Sequence, residues 1–248
     1  MKKKLILFLF SIFLITFLEA QSSEVSDEII AAETDSTHEF EKADSFFDFI
    51  HSLDFLFQME PGMYFNLESK LVSAPSPVIY PLSIGILWPN YTKIAVQPTL
   101  GFFSTEWLYY DDKALPAEIE NRTASSLSFI FTLPVVVSMY FKYSRLQIMP
   151  GISMLAQFAL LSNGVKPDDS GYSGSAGNDV KLINQYFWSD MRFLYISIGG
   201  SWLINVYKTP NSWVKMGPVI NVQLPLGQLT SGTGMQGTII SAGLKISL

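Results

Sequence analysis

From Gly62 to the last residue, apolar and polar side chains alternate one by one, and each run stops at a cluster of Pro, Gly, Ser or Asn. Successive side chains of a strand point to opposite faces, so each run predicts a strand with one greasy and one wet face. The first, over Gly62–Leu71, sets Met63, Phe65, Leu67 and Leu71 against Tyr64, Asn66, Glu68 and Lys70. The second carries Val78, Tyr80, Leu82, Ile84, Ile86 and Trp88, and the third sets Ile94, Val96, Leu100 and Phe102 against Lys93, Gln97 and Thr99. In the fourth, Leu127 to Met139 on odd numbers oppose Ser128, Thr132, Ser138 and Tyr140; in the fifth, Leu146 to Leu160 on even numbers oppose Gln147, Ser153 and Gln157. The sixth places Leu194 to Val206 opposite Tyr195, Ser197, Ser201 and Asn205, and the seventh Val214 to Leu224 opposite Lys215, Asn221 and Gln223. The eighth ends the chain, with Ile240, Ala242, Leu244, Ile246 and Leu248 on one face and Ser241, Lys245 and Ser247 on the other.

The connections alternate in length. Those near Asn90, Tyr143 and Pro210 are tight, and those near Lys113, Asp169 and Ser231 are long; the one near Ala74 is the exception. Lys181–Phe193 is read as the start of one long sixth strand, bulged near Asp190 and Arg192; a turn at Ser189-Asp190 would instead give nine strands.

Composition decides which face is outside. Hydrophobic residues make up 48% of the 248, charged residues only 15%, and mean hydropathy is +0.26, yet beyond the first twenty residues no apolar run has the length of a membrane helix. Alternating strands in lipid produce that combination. The charged residues share the wet faces, and a Lys facing lipid at mid-bilayer costs about 2–4 kcal/mol, so those faces should line a lumen. The inward candidates are Glu68, Lys70, Lys93, Gln97, Tyr140, Gln147, Gln157, Asn205, Lys215, Asn221, Gln223 and Lys245. Glu68, the carboxylate among them, is expected to pair with Lys245 or another of these lysines across the seam, leaving a net-positive interior. Ile79, Leu87, Ile130, Val136, Leu155, Leu203, Val219 and Ile239 also face inward, to line an apolar pocket or simply to pack.

The region before Gly62 is different. Three lysines, an apolar Leu5–Leu18 stretch and Ala20 predict a secretory leader over residues 1–20. Its removal, with three Lys and one Glu, takes the formal charge from −6 to −8. Residues 21–60 hold eleven acids against Lys42 alone, leaving +2 for the remainder. Residues 21–59 are therefore expected to form an acidic periplasmic segment. Ala43, Phe46, Phe47, Ile50, Leu53 and Phe57 predict a short amphipathic helix within it, docked on the rim or plugging the barrel. Residues 60–248 are expected to form the barrel.

The C-terminal strand, apolar on one face to Leu248, resembles the closing strand and assembly signal of bacterial outer-membrane barrels, though that signal usually ends in an aromatic residue. The eight alternating segments together resemble the small barrels of the OmpW, OmpX and OmpA-barrel kind. The resemblance implies an all-β, closed, antiparallel up-and-down transmembrane barrel in the outer membrane of a diderm bacterium. It also implies lipid and the barrel-assembly machinery as partners, and extracellular long loops that would display Asp111, Asp112, Asp168, Asp169 and Tyr172.

Little points to catalysis. The two histidines, His38 and His51, precede the barrel, and there is no cysteine. The adjacent acids Asp111-Asp112 and Asp168-Asp169 lack the spacing of a calcium cage. A non-enzyme is expected, with no cofactor, metal or nucleic acid. Two functions remain open. One is porin-like passage of small or hydrophobic molecules through a narrow, largely filled lumen, with a small hydrophobic solute as partner. The other is a structural or adhesin-like barrel that acts through its loops.

Overall fold

The computed structural model describes residues 49–50, 52–66, 76–117, 122–208, 213–227 and 236–248. The leader, the acidic stretch, the expected helix up to Asp48, and both Glu68 and Lys70 lie outside the described residues.

Eight antiparallel staves close into a barrel. The first is β1 (Asp54–Met59) with β2 (Gly62–Tyr64), the second β3 (Val78–Ile79) with β4 (Leu82–Leu87), and the third β5 (Ile94–Val96) with β6 (Thr99–Tyr110). A short strand, β7 (Lys113–Pro116), folds back on the end of β6. The remaining staves are β8 (Ala124–Tyr140), β9 (Ser144–Leu161), β10 (Leu194–Lys208), β11 (Trp213–Pro225) and β12 (Ile239–Ser247). Closure comes from β12, which pairs with β11 on one side and with both β1 and β2 on the other. The paired residues spiral. Ile240 lies beside Met63; the ladder runs the other way round through Val222, Ile198, Pro150, Val135, Val96 and Trp88 and arrives beside Leu53, ten residues earlier. Such a stagger tilts the strands, and eight tilted strands leave an interior that side chains can just fill.

The outside is greasy. Phe55, Phe57, Met59, Leu82, Ile84, Leu100, Ile152, Ile198 and Ile220 are exposed, whereas their neighbours Leu56, Gln58, Ser83, Ser197 and Val219 are buried. Between Glu106 near the long-loop end and Lys208 at the short-turn end, no outward position among the described residues is charged. Aromatic rings gather at both borders: Phe158, Trp188 and Phe193 pack in a row near the loops, and Trp88, Tyr143, Trp202, Tyr207 and Trp213 are exposed near the turns. Interfacial aromatic belts have this placement, and the molecule is a transmembrane barrel.

Three stretches depart from the sequence expectation. Leu53–Phe57, read as helix, belongs mostly to the first stave, which begins at Asp54 and not near residue 60. Helical and period-two spacings overlap there, and the strand wins because both its edges find partners in β4 and β12. Pro61, which cannot donate to the ladder, interrupts the stave between β1 and β2 and hid its continuity. Secondly, the polar stretch after Glu106 is not all loop. Residues Tyr110 and Lys113 pair across a two-residue turn in which Asp111 and Asp112 both have positive φ (51° and 58°), the tight hairpin geometry that Asp tolerates.

The third is the largest. Lys181–Trp188 is not strand but the body of a helix, α1 (Ala176–Trp188). Ala176, Asp179, Ile183 and Phe187 are buried at spacings of three and four, and Ser175 caps the first turn by accepting from the Asn178 amide. The sixth stave accordingly starts only at Leu194.

Candidate functional site

Inside the barrel, polar and apolar layers succeed one another from the turns to the loops. Nearest the turns is an ionic knot. Asp54, the first residue of β1, is 2% exposed; its Oδ2 accepts from Lys215 Nζ at 3.1 Å and from Ser247 Oγ at 3.0 Å, and its Oδ1 from Asn90 Nδ2 at 3.0 Å. Arg145, equally buried, brings Nη1 to 3.7 Å of the same carboxylate, donates from Nε to Ser138 Oγ at 3.1 Å, and lies 4.9 Å from the Tyr140 ring centre. Three other strands, β9, β11 and β12, and the turn after β4 thus converge on one carboxylate of β1. Buried charge is costly unless it is both paired and hydrogen-bonded, and most of this knot meets that condition.

One layer further in, Lys245 is fully buried. Its ammonium donates to Gln97 Oε1 at 2.5 Å and Gln147 Oε1 at 2.8 Å, and Met149 Sδ lies 3.6 Å away. Its direct partners are neutral; the expected pairing with Glu68 falls outside the described residues. The carboxylate at mid-barrel is Glu60, buried between β1 and β2, whose Oε2 accepts from Asn221 Nδ2 at 2.5 Å and Ser241 Oγ at 2.9 Å. Leu56, Leu87, Ala95, Val136, Met149 and Val219 form an apolar collar around the lower lumen.

Above Glu60 the interior turns apolar. Ile79, Phe103, Ile130, Leu155, Tyr195 and Ile239 fill the section, with Tyr64 packed against them. Over these sits a second apolar layer of Trp107, Ala114, Ala124 and Ala159, closed by Ile183 and Phe187 from α1. Phe187 meets Trp107 edge to face at 4.8 Å, and Trp107 Nε1 donates to Ser126 Oγ at 2.8 Å. The helix is tied to the wall by Asn184, whose side chain accepts from the Ala159 amide at 2.8 Å and donates to its carbonyl at 2.9 Å, as a neighbouring strand would. Asp179 organises the loop before it by accepting from the Tyr172 and Ser173 amides at 3.0 and 2.8 Å. The element that closes the upper lumen thus lies between the fifth and sixth staves; the N-terminal segment, expected to dock on the rim or to plug the barrel, is outside the described residues up to Asp48.

Of the inward candidates, Gln97, Gln147, Gln157 and Lys245 are buried, and Lys215, Asn221, Gln223 and Asn205 are half-buried. Gln157 donates to Ser128 Oγ at 3.3 Å, and Asn205 adjoins a bulge in β10. Tyr140 keeps inward parity but sits exposed on the turn rim, its hydroxyl donating to the Thr92 carbonyl at 2.8 Å. Lys93 is a correction: it is exposed in the turn before β5, not in the lumen. The inward apolar residues Ile79, Leu87, Ile130, Val136, Leu155, Leu203, Val219 and Ile239 are all buried, most of them within the packed clusters.

Among the loop candidates, Asp111 and Asp112 form the β6–β7 turn, and Asp112 Oδ1 accepts from Tyr109 at 2.9 Å. Asp168 and Asp169 are exposed, and Asp169 Oδ2 accepts from the Lys166 amide at 2.7 Å. Tyr172 stands edge-on to Tyr110 at 5.1 Å, joining the two loops. Sequence reasoning missed Asp54, Glu60, Arg145 and Asp179. Arg145 alternates with Gln147 and was legible by parity, whereas Asp54 and Glu60 were hidden in the misread segment.

No protein-family model matches the chain, and no curated protein matches it. Among solved structures, the chain is similar to the attachment invasion locus protein Ail of Yersinia pestis, solved with a heparin analogue, sucrose octasulfate. The identity is 8% over 79% of this chain and 95% of that one, with a TM-score of 0.39.

Proposed function

We propose that this protein is a sealed barrel of a bacterial outer membrane that works through its loop end, as a structural or surface-recognition module, and not as a pore. The observation that carries this reading is the filling of the upper lumen by two consecutive apolar layers, from Tyr64 and Phe103 up to Phe187 of α1. Water and polar solutes would have to cross both. The surface that remains for partners is the hairpin at Asp111-Asp112 with the loop at Asp168 to Tyr172, held together through Tyr110 and Tyr172. In this orientation the short turns face the periplasm and the long loops the exterior, as in bacterial outer-membrane barrels.

Liposome swelling tests the reading against solute passage. Vesicles containing refolded protein should not swell in isotonic arabinose or glycerol any faster than empty vesicles. Swelling that scales with protein content would favour passage. A tag inserted after Asp111 should be reachable on intact cells and one after Tyr143 should not.

A further inference from the structure

Charge is divided between the two ends of the outer surface. Among the described residues, the exposed carboxylates Asp111, Asp112, Asp168, Asp169 and Asp190 all lie at the loop end. The three short turns contain no acid, and each brings one exposed lysine: Lys93, Lys142 and Lys208. Two of these lysines meet on one side of the barrel. The Asn205 amide donates to the Tyr143 carbonyl at 3.0 Å, which ties β10 to the β8–β9 turn. Beyond that bond β10 runs on through Tyr207 and Lys208, paired with β11 alone. At about 3.4 Å per residue, Lys208 stands about 7–10 Å past the turn that holds Lys142. The corner between them is lined by the exposed rings of Tyr143, Trp202 and Tyr207, with Trp213 paired beside Lys208. The Lys142 ammonium lies 5.1 Å from the Tyr143 ring centre. Towards mid-membrane the wall continues as Ile148, Ile198 and Ile204, all exposed.

We propose that this corner is a binding site for an anionic phospholipid, in the leaflet that surrounds the turns. Three features select that ligand. Tyr and Trp side chains settle at the bilayer interface with the apolar body in and the polar tip out, which sets both ammonium groups at headgroup depth. The apolar wall next to them takes acyl chains, which a soluble anion lacks. Charge makes the third selection. With no exposed carboxylate at this end among the described residues, a net-negative diester balances the two lysines, whereas a zwitterionic headgroup brings its own ammonium into the same field. The loop border differs: there Arg192 Nη2 lies 3.4 Å from Asp190 Oδ2, so its charge is answered within the chain.

That this leaflet faces the periplasm rests on the orientation proposed above. Tag accessibility tests that orientation, and a lipid titration in micelles reads the corner itself, so the two results stand or fall separately.

The test uses the full chain, isotopically labelled and refolded in phosphocholine micelles. Short-chain phosphatidylglycerol is titrated in, with phosphatidylethanolamine and phosphatidylcholine of equal chain length and inorganic phosphate as separate arms. Phosphatidylglycerol should give saturable amide shifts at Lys142, Tyr143, Tyr207 and Lys208, smaller ones at the lone Lys93, and none at Gly171 and Gly174 of the loop end. Lys142→Gln and Lys208→Gln should each weaken the apparent affinity about fivefold, the usual worth of one basic residue at an anionic membrane surface. Unchanged affinity in both variants overturns the proposal. Equal saturation by the zwitterionic lipids, or saturation by inorganic phosphate alone, does so too. Shifts at Lys93 as large as those at Lys142 and Lys208 would mark a general response to micelle charge and no discrete site. Absence of saturation by phosphatidylglycerol, the result expected if the acidic residues 21–48 answer these lysines instead, equally overturns it. Should a variant fail to refold, the wild-type contrast between phosphatidylglycerol and phosphatidylcholine decides alone.

Discussion

The two ends of the lumen are closed by different physics. At the turn end, Asp54 holds Lys215, Ser247 and Asn90 by hydrogen bonds and Arg145 by charge at 3.7 Å, in one ionic knot. At the loop end, Trp107, Phe187 and Ile183 close the section by packing, and the polar groups nearby serve to fix the helix that delivers two of them. An ionic closure depends on every member, because removing one strands the others in a low-dielectric interior. An apolar closure degrades in proportion to the volume removed. The turn end should therefore fail abruptly and the loop end gradually.

Asp54→Asn should produce the largest loss. It leaves Arg145 and Lys215 without their carboxylate and is expected to cost about 3–5 kcal/mol, read as a lowered urea midpoint in detergent. Asp54→Asn combined with Arg145→Met should lose clearly less than the sum of the single changes; strict additivity would mean that the knot does not act as a unit. Phe187→Ala should cost about 3 kcal/mol, the low end for a buried Phe because the rim can partly collapse. Restoring much of that with Phe187→Leu would mark a packing closure, and no rescue would argue against it.

Lys245→Met comes next, at roughly 1–3 kcal/mol, since it leaves the Gln97 oxygen without its lysine donor and that of Gln147 with Ser201 alone. A loss as large as that of Asp54→Asn would mean that Lys245 neutralises a carboxylate directly, contrary to its neutral partners. The smallest change is Asn184→Ala, about 1 kcal/mol for the side-chain bonds to the Ala159 backbone. Its sharper sign is local: faster amide exchange at Ala159 with unchanged exchange at Ser153 in the same strand.

The same contrast explains what the sequence disclosed. Period-two alternation in β8, β9, β11 and β12 was unambiguous because every outward residue meets lipid and the inward ones the lumen, so faces and staves followed from parity alone. The lumen residues on those strands, such as Gln147, Gln157, Asn221 and Lys245, came with them. Legibility failed where two periods fitted. Leu53–Phe57 satisfies both helical and strand spacing, and only the closure of β1 against β12 decides, a contact across nearly the whole chain. Consequently the two carboxylates that anchor the lumen, Asp54 and Glu60, were not found. Lys181–Trp188 is the reverse case. Its buried spacing of Asp179, Ile183 and Phe187 is helical, with a cap at Ser175, but the segment runs within a few residues into the alternating positions from Leu194 and reads as their continuation. Lys93 was misplaced because its parity continues past the end of β5 into a turn, where alternation no longer has meaning.

Single-channel recording tests the central claim, that two consecutive apolar layers seal the upper lumen. Wild-type protein refolded into planar bilayers is expected to remain electrically silent in 1 M KCl (a concentration of about 1 M leaves a Debye length of roughly 3 Å, so charge in the lumen would not hide an open path). Trp107→Ala with Phe187→Ala should remain silent too, because the layer of Phe103, Ile130, Leu155 and Tyr195 still lies beneath. Steady, protein-dependent conductance steps from the wild type would contradict the account.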